Sequence, residues 1–135
     1  APDELRRLGA LGEKVGMAFQ ITDDVLDYVG QPDKTGKPPA QDLKERKVTL
    51  PLLKALERST PEERQLVDSF LRSTSGDSGA DRILEIVRRR GGAEAALDEA
   101  RRFQRQARSL LNSFQPGPHR SALAALIDFV VDREN

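Results

Sequence analysis

Apolar residues recur along this chain at spacings of three and four, and no stretch alternates apolar and polar residues with a period of two. That pattern predicts helices and no strands. Pro2 followed by Asp3 and Glu4 is a good helix opening, with proline in the first turn and acids at the positive end of the dipole. The helical period then holds to about Val29, where Gly30, Gln31, Pro32 and Asp33 break it. Leu50, Leu52, Leu53 and Leu56 restart a helix around Pro51 that closes at Ser59 and Thr60. Thr60 is an N-cap for a further helix over 61–73, with Pro61 at its first position and glutamates in its first turn.

After a turn in STSGDSG, ADRILEIVRRR reads as a short amphipathic helix that stops at Gly91 and Gly92. Residues 93–113 form a long arginine-rich helix with Ala96, Leu97, Ala100, Phe103, Ala107, Leu110 and Leu111 on its apolar side. QPGPH ends it, and RSALAALIDFVVD makes the last helix. The expected fold class is all-α, with no internal repeat. A chain of 135 residues with 37% hydrophobic content suits one modest domain.

Charge narrows the chemistry. Lysine plus arginine equals aspartate plus glutamate at 22 each, so there is no net basic field to draw nucleic acid, and none is expected as a partner. Cysteine is absent, which excludes disulfides and thiolate metal sites. No apolar run approaches the roughly 20 residues that cross a bilayer, so no transmembrane segment is expected. With no signal-peptide pattern at the start, the expected address is cytoplasmic. The sequence begins almost at once in a long helical pattern, as if cut from within a larger protein.

The stretch FQITDDVLDY, residues 19–28, carries three aspartates in an otherwise apolar run. At roughly 100° per residue, Gln20, Asp23, Asp24 and Asp27 share about a third of the helix circumference, with Gly16 on the same line. Ala18, Phe19, Ile21, Val25 and Leu26 occupy the rest, so the expectation is a buried helix whose acidic stripe faces a cavity. Three carboxylates are costly to desolvate without a cation. Oxygen-only donors suit a hard ion such as magnesium, commonly held together with phosphate oxygens. A DDxxD pattern on a helix is also compatible with a plain solvated face.

Lys34, Lys37, Lys44 and Lys47 follow on a predicted loop, with Gly36 beside Lys37. Carboxylates, magnesium and lysines together are what a diphosphate needs, although loop lysines alone can serve solubility. GQPDKTGKP is not a phosphate loop, because five residues separate its glycines, Pro38 replaces the required hydroxyl residue, and a helix precedes it. DDVLDYVGQPDK lacks the alternating acids and final glutamate of an EF-hand loop. His119, in a Pro-Gly-Pro turn, reads as a surface residue.

The stretch GMAFQITDDVLDYVGQPDKTGKPPAQDLKERKVTLPLL closely resembles the second aspartate-rich region of the trans-type isoprenyl diphosphate synthases, the polyprenyl synthetase family. Gly16, Phe19, Gln20, Asp23, Asp24, Asp27, the Gly36-Lys37 pair, Asp42-Leu43, Lys47 and Thr49-Leu50-Pro51 carry the match. Gly91-Gly92, Leu123 and FVVDREN resemble the family's C-terminal pattern, so the similarity extends over the whole chain. Ala40 and Arg46 depart from it, each standing where many members have glycine.

This resemblance implies an isoprenoid-synthase-like helical bundle, of which residues 1–135 are the C-terminal part, with the second aspartate-rich motif at 23–27 and a diphosphate-binding loop at 30–47. It implies a trans-prenyltransferase that condenses isopentenyl diphosphate with an allylic diphosphate, using Mg2+, and a homodimer for the full-length enzyme. Asp23 and Asp24 are expected to be metal ligands and Asp27 a ligand through a water or a support for the other two. Gln20, Lys37 and Lys47 are expected to bind substrate, and Asp23, Asp24 and Lys37 to serve catalysis. The family's first aspartate-rich motif is not among these residues, so the fragment alone is expected to be inactive. A noncatalytic subunit of a heteromeric synthase is the alternative, and a generic helical bundle with a solvated acidic stripe is a third.

Overall fold

The computed structural model describes residues 2–30, 40–74 and 79–133. Among them are seven helices and no strand: α1 (Pro2–Val29), α2 (Gln41–Lys44), α3 (Leu50–Glu57), α4 (Pro61–Arg72), α5 (Ala80–Arg89), α6 (Gly92–Leu111) and α7 (Pro118–Asp132). The all-α expectation therefore holds. Six of the seven follow the sequence pattern to within about two residues at most ends. The turn predicted around 75–78 and most of the loop predicted from Gly30 lie outside the described residues.

Helix boundaries follow from local chemistry. Thr60 Oγ1 accepts the Glu63 amide at 3.2 Å, as its N-cap position predicts. Pro51 and Pro61 sit in first turns, where a missing N–H leaves no bond unmade. Gly91, at φ 66, ends the α5 turn in the left-handed region that a glycine enters at little cost, and its amide bonds Arg88 O at 3.1 Å.

The chain divides into two compact units, Ala1–Thr22 with Leu97–Glu134 and Asp23–Ala96. In the first, Leu11 of α1, Ala107 and Leu111 of α6 and Ile127 of α7 form a small buried core. Around it, Gln104 donates to the Ile127 carbonyl at 3.0 Å, and Arg7 donates to Ser113 while stacking 4.8 Å from the Phe114 ring.

In the second unit, α5 packs against α2, α3 and α4. Its buried face of Ala80, Ile83, Ile86 and Val87 meets Leu43, Leu52, Ala55, Val67 and Phe70, and Tyr28 at the end of α1 closes the same core. Gly92 opens α6 directly against α3, where an added Cβ would fall 2.2 Å from the Pro51 carbonyl oxygen. At the edge, Arg90 Nε donates to Glu63 Oε2 at 2.9 Å and Arg89 reaches Oε1 at 3.4 Å, tying α4 to the end of α5.

Two expectations change. The predicted loop over 30–47 contains a helix, α2, which is too short to leave a periodic signal and is set by its fully buried Leu43. The motif helix is not packed nearly all round, because Phe19 is 45% exposed and Gln20 and Asp23 are exposed, while Asp24 and Asp27 are half-buried. Only Ala18, Ile21, Val25 and Tyr28 on this stretch bury an apolar side chain fully.

Candidate active site

The C-terminal half of α1 presents Gln20, Asp23, Asp24 and Asp27 as successive members of one helix face, as their spacing requires. Among the described residues no three acidic, histidine or cysteine side chains converge closely enough to cage an ion. Asp27 is engaged with the backbone that follows. Its Oδ1 accepts the Gln41 amide and its Oδ2 the Asp42 amide, each at 3.1 Å, and its own carbonyl accepts the Ala40 amide at 2.7 Å. Asp27 thereby satisfies the first amides of α2, a role that its position in the motif alone does not reveal.

This bonding draws a fourth acid to the stripe. Burial raises the Asp27 pKa, the charges of Asp42 and Asp23 raise it further, and the two amide bonds oppose the shift. Nearby, burial first, and then the Asp27 charge, push the Tyr28 pKa upward, and the Thr49 hydroxyl bonds the buried Tyr28 hydroxyl and opposes that shift. The side-chain donors on this face are carboxylate oxygens, which suit a hard divalent cation better than a soft metal.

Lys47 lies at the exit of α2, with its amide bonded to Asp42 O at 2.8 Å. Its ammonium pairs with Glu45 Oε2 at 2.9 Å, and Gln41 donates to Glu45 Oε1 at 3.2 Å. The Lys47 bond holds the Glu45 carboxyl below its ordinary pKa, and Glu45 raises that of Lys47 in turn. Lys34 and Lys37 lie outside the described residues; Lys44, the last residue of α2, is half-buried. Sequence reading missed Glu45 as the partner of Lys47 and marked Arg46 only as a departure beside it.

Arg46 and Ala40 are, among the described residues, the only ones other than glycine with φ in the left-handed region, at 59° and 57°. The backbone on either side of α2 thus keeps the geometry glycine favours, and this chain reaches it with larger residues.

The sequence model of the polyprenyl synthetase family matches residues 1–87, and the chain belongs to that family. It is 38% identical, over its full length, to the short chain isoprenyl diphosphate synthase of Methanothermobacter thermautotrophicus, of which it covers 41%. It is 33% identical over 133 residues to the octaprenyl diphosphate synthase of Escherichia coli, covering 98% of this chain and 41% of that protein.

Among solved structures it resembles a polyprenyl synthase from Caulobacter crescentus complexed with calcium and isoprenyl diphosphate, with a TM-score of 0.83 at 35% identity over 96% of this chain and 40% of the other. A geranylgeranyl pyrophosphate synthase from Corynebacterium glutamicum complexed with isoprenyl diphosphate and magnesium gives 0.83 at 27% identity, over 99% and 39%. The chain spans about two fifths of the length of the relatives it matches. No helix among the described residues is long and apolar enough to cross a membrane.

Proposed function

We propose that this chain is the C-terminal part of a trans-prenyltransferase that joins isopentenyl diphosphate to an allylic diphosphate. The observation that carries the reading is the Gln20–Asp23–Asp24–Asp27 face, with Asp27 anchoring the segment that bears Lys47, in a member of the polyprenyl synthetase family. In the reaction the allylic C–O bond breaks with its electron pair leaving on diphosphate. The double bond of isopentenyl diphosphate supplies the pair for the new C–C bond, and a proton departs to restore an allylic product.

Each residue has a separate part. Asp23 and Asp24 would hold magnesium, with Asp27 supporting them through the α2 anchor. Magnesium at this face would offset the charge that grows on the departing diphosphate. Lys37 and Lys47 bind diphosphate oxygens, and Gln20 lines the same face one turn earlier. Calcium or magnesium with isoprenyl diphosphate in the related structures supports the choice of a divalent ion. A homodimer of the full-length enzyme, which rests on the resemblance alone, and a cytoplasmic address belong to the same proposal. No observation favours the noncatalytic-subunit reading, and the retained acids speak against it.

Calorimetric titration tests the binding half. Inorganic pyrophosphate with magnesium is expected to bind the 135-residue chain, magnesium alone only poorly, and Asp23→Ala to weaken the joint binding. In a full-length enzyme Asp23→Ala should lower turnover by ~2–3 kcal/mol of transition-state stabilisation. Unchanged turnover there would reduce the acidic stripe to a solvated face. Labelled isopentenyl diphosphate should not be incorporated by the fragment alone, which supplies one side of the leaving-group site. Steady turnover would mean that these residues hold a complete site.

A further inference from the structure

Arg46 joins two helices of the second unit, α2 and α4. Its Nε donates to the Ser73 carbonyl at 2.9 Å, just past the end of α4, and its Nη1 donates to the Lys44 carbonyl at 2.9 Å, at the end of α2. The guanidinium carbon lies 4.5 Å from the centroid of the buried Phe70 ring. Its backbone amide bonds Leu43 O at 2.9 Å while its φ of 59° turns the chain into Lys47. A left-handed φ is strained for any residue with a Cβ and persists only where the surroundings over-determine it. Here two carbonyls and an aromatic face do so, and arginine's planar fork can satisfy all three at once.

We propose that Arg46 is a positioning residue for the diphosphate site: it clamps the left-handed turn after α2 and so fixes how Lys47 is presented to a phosphate. The proposal rests on the reading of Lys47 as a diphosphate ligand. Arg46 is itself poorly placed to bind the anion, because its fork is directed at Ser73 and Lys44. The adjacent Lys47 takes its place from the clamped backbone, through its amide bond to Asp42 O. A glycine at 46 would adopt the same φ without strain but would leave the turn free to open. In this chain a side-chain clamp therefore holds the turn, which preorganises the cation before ligand arrives.

Two readings on Arg46→Gly decide it. Hydrogen exchange at the Lys47 amide should quicken roughly tenfold while core amides such as Val87 stay protected, the mark of local rather than global opening. Affinity for inorganic pyrophosphate with magnesium should fall roughly fivefold as preorganisation is lost. Arg46→Lys, which keeps the charge but has no fork, should lie between the two and carries both readings if the glycine variant does not fold. Unchanged exchange at Lys47 would overturn the clamp. Faster exchange with unchanged pyrophosphate affinity would overturn its bearing on the ligand. A wild type that binds no pyrophosphate would overturn the functional reading instead, and the exchange measurement would still decide the clamp.

Discussion

Asp42 donates its backbone amide to Oδ2 of Asp27 at 3.1 Å, and Gln41 donates to the other oxygen at the same distance. A carboxylate on the acidic face of α1 thus holds the start of the following helix. Asp27→Ala strands two partly buried amides and should destabilise the fold by about 1–2 kcal/mol, the usual scale for such a group. Asp27→Asn keeps one acceptor but sets an NH2 group against the second amide, so it should recover only part of the loss. Urea unfolding of the three proteins checks the order. Equal stability of wild type and Asp27→Ala would show that the two bonds contribute nothing net.

Glu45 occupies the ammonium that the proposed ligand needs. An incoming phosphate must displace a carboxylate 2.9 Å from Lys47, in competition for one cation. Glu45→Gln should therefore tighten pyrophosphate binding with magnesium, by roughly two- to fivefold, the range set by an exposed ion pair. The gain should shrink as salt is added, because exposed charges are screened. Weaker binding in the variant would mean that Glu45 holds Lys47 in its productive place instead.

The Glu63 carboxyl is held down to about 2 from its ordinary 4.5, chiefly by the bonds it accepts from Arg90 and also by the nearby charge of Arg89. A pKa lower in the folded than in the unfolded chain gives stability that is complete above about pH 4.5 and disappears as pH falls toward 2. Thermal melts of the wild type should decline across that window. Glu63→Gln should show a shallower decline there, and a lower midpoint at neutral pH. Parallel profiles would place the acid sensitivity in other carboxylates.

Gly92→Ala should be among the most damaging single-methyl changes in the second unit. The new Cβ would meet the Pro51 carbonyl oxygen at 2.2 Å and the Ala55 methyl at 3.0 Å, and the backbone oxygen cannot rotate away. Overpacking of this kind costs about 1–3 kcal/mol. Gly12→Ala, with nothing within 4 Å of its Cβ, should be neutral or stabilising, since alanine favours the helix. Chemical denaturation of both variants compares them directly.

The first unit exposes Leu5, Leu126 and Phe129 at 71%, 47% and 61%, and α1 and α7 border an apolar groove of about 520 Å³. A surface so apolar favours association. The 135-residue chain should sediment with a concentration-dependent mass, and Leu126→Lys with Phe129→Lys should make it monomeric. A monomeric wild type at high concentration would show that the patch is too small to drive pairing.

Much of the protein could be read from the residues in order. Helix starts and stops depend on local groups, so Thr60, Pro61 and Gly91 announced them without tertiary help, and the spacing of Gln20, Asp23, Asp24 and Asp27 put them on one face because the helix repeat is invariant. The motif residues around Asp42 and Thr49 likewise signalled the family. Burial was another matter. Phe19 and Val25 are both apolar residues of α1, yet one is 45% exposed and the other 5%, because exposure depends on which distant segments arrive. The same is true of α2. Four residues cannot nucleate a helix alone; Gln41–Lys44 is helical because the Asp27 carboxylate, fourteen residues earlier, accepts its first amide, and because Leu43 reaches a core built by α3, α4 and α5. Arg46 shows the limit most sharply. Sequence marked it only as a residue standing where glycine is usual, and its meaning came from the Ser73 carbonyl and the Phe70 ring, neighbours that are far along the chain and close only once it has folded.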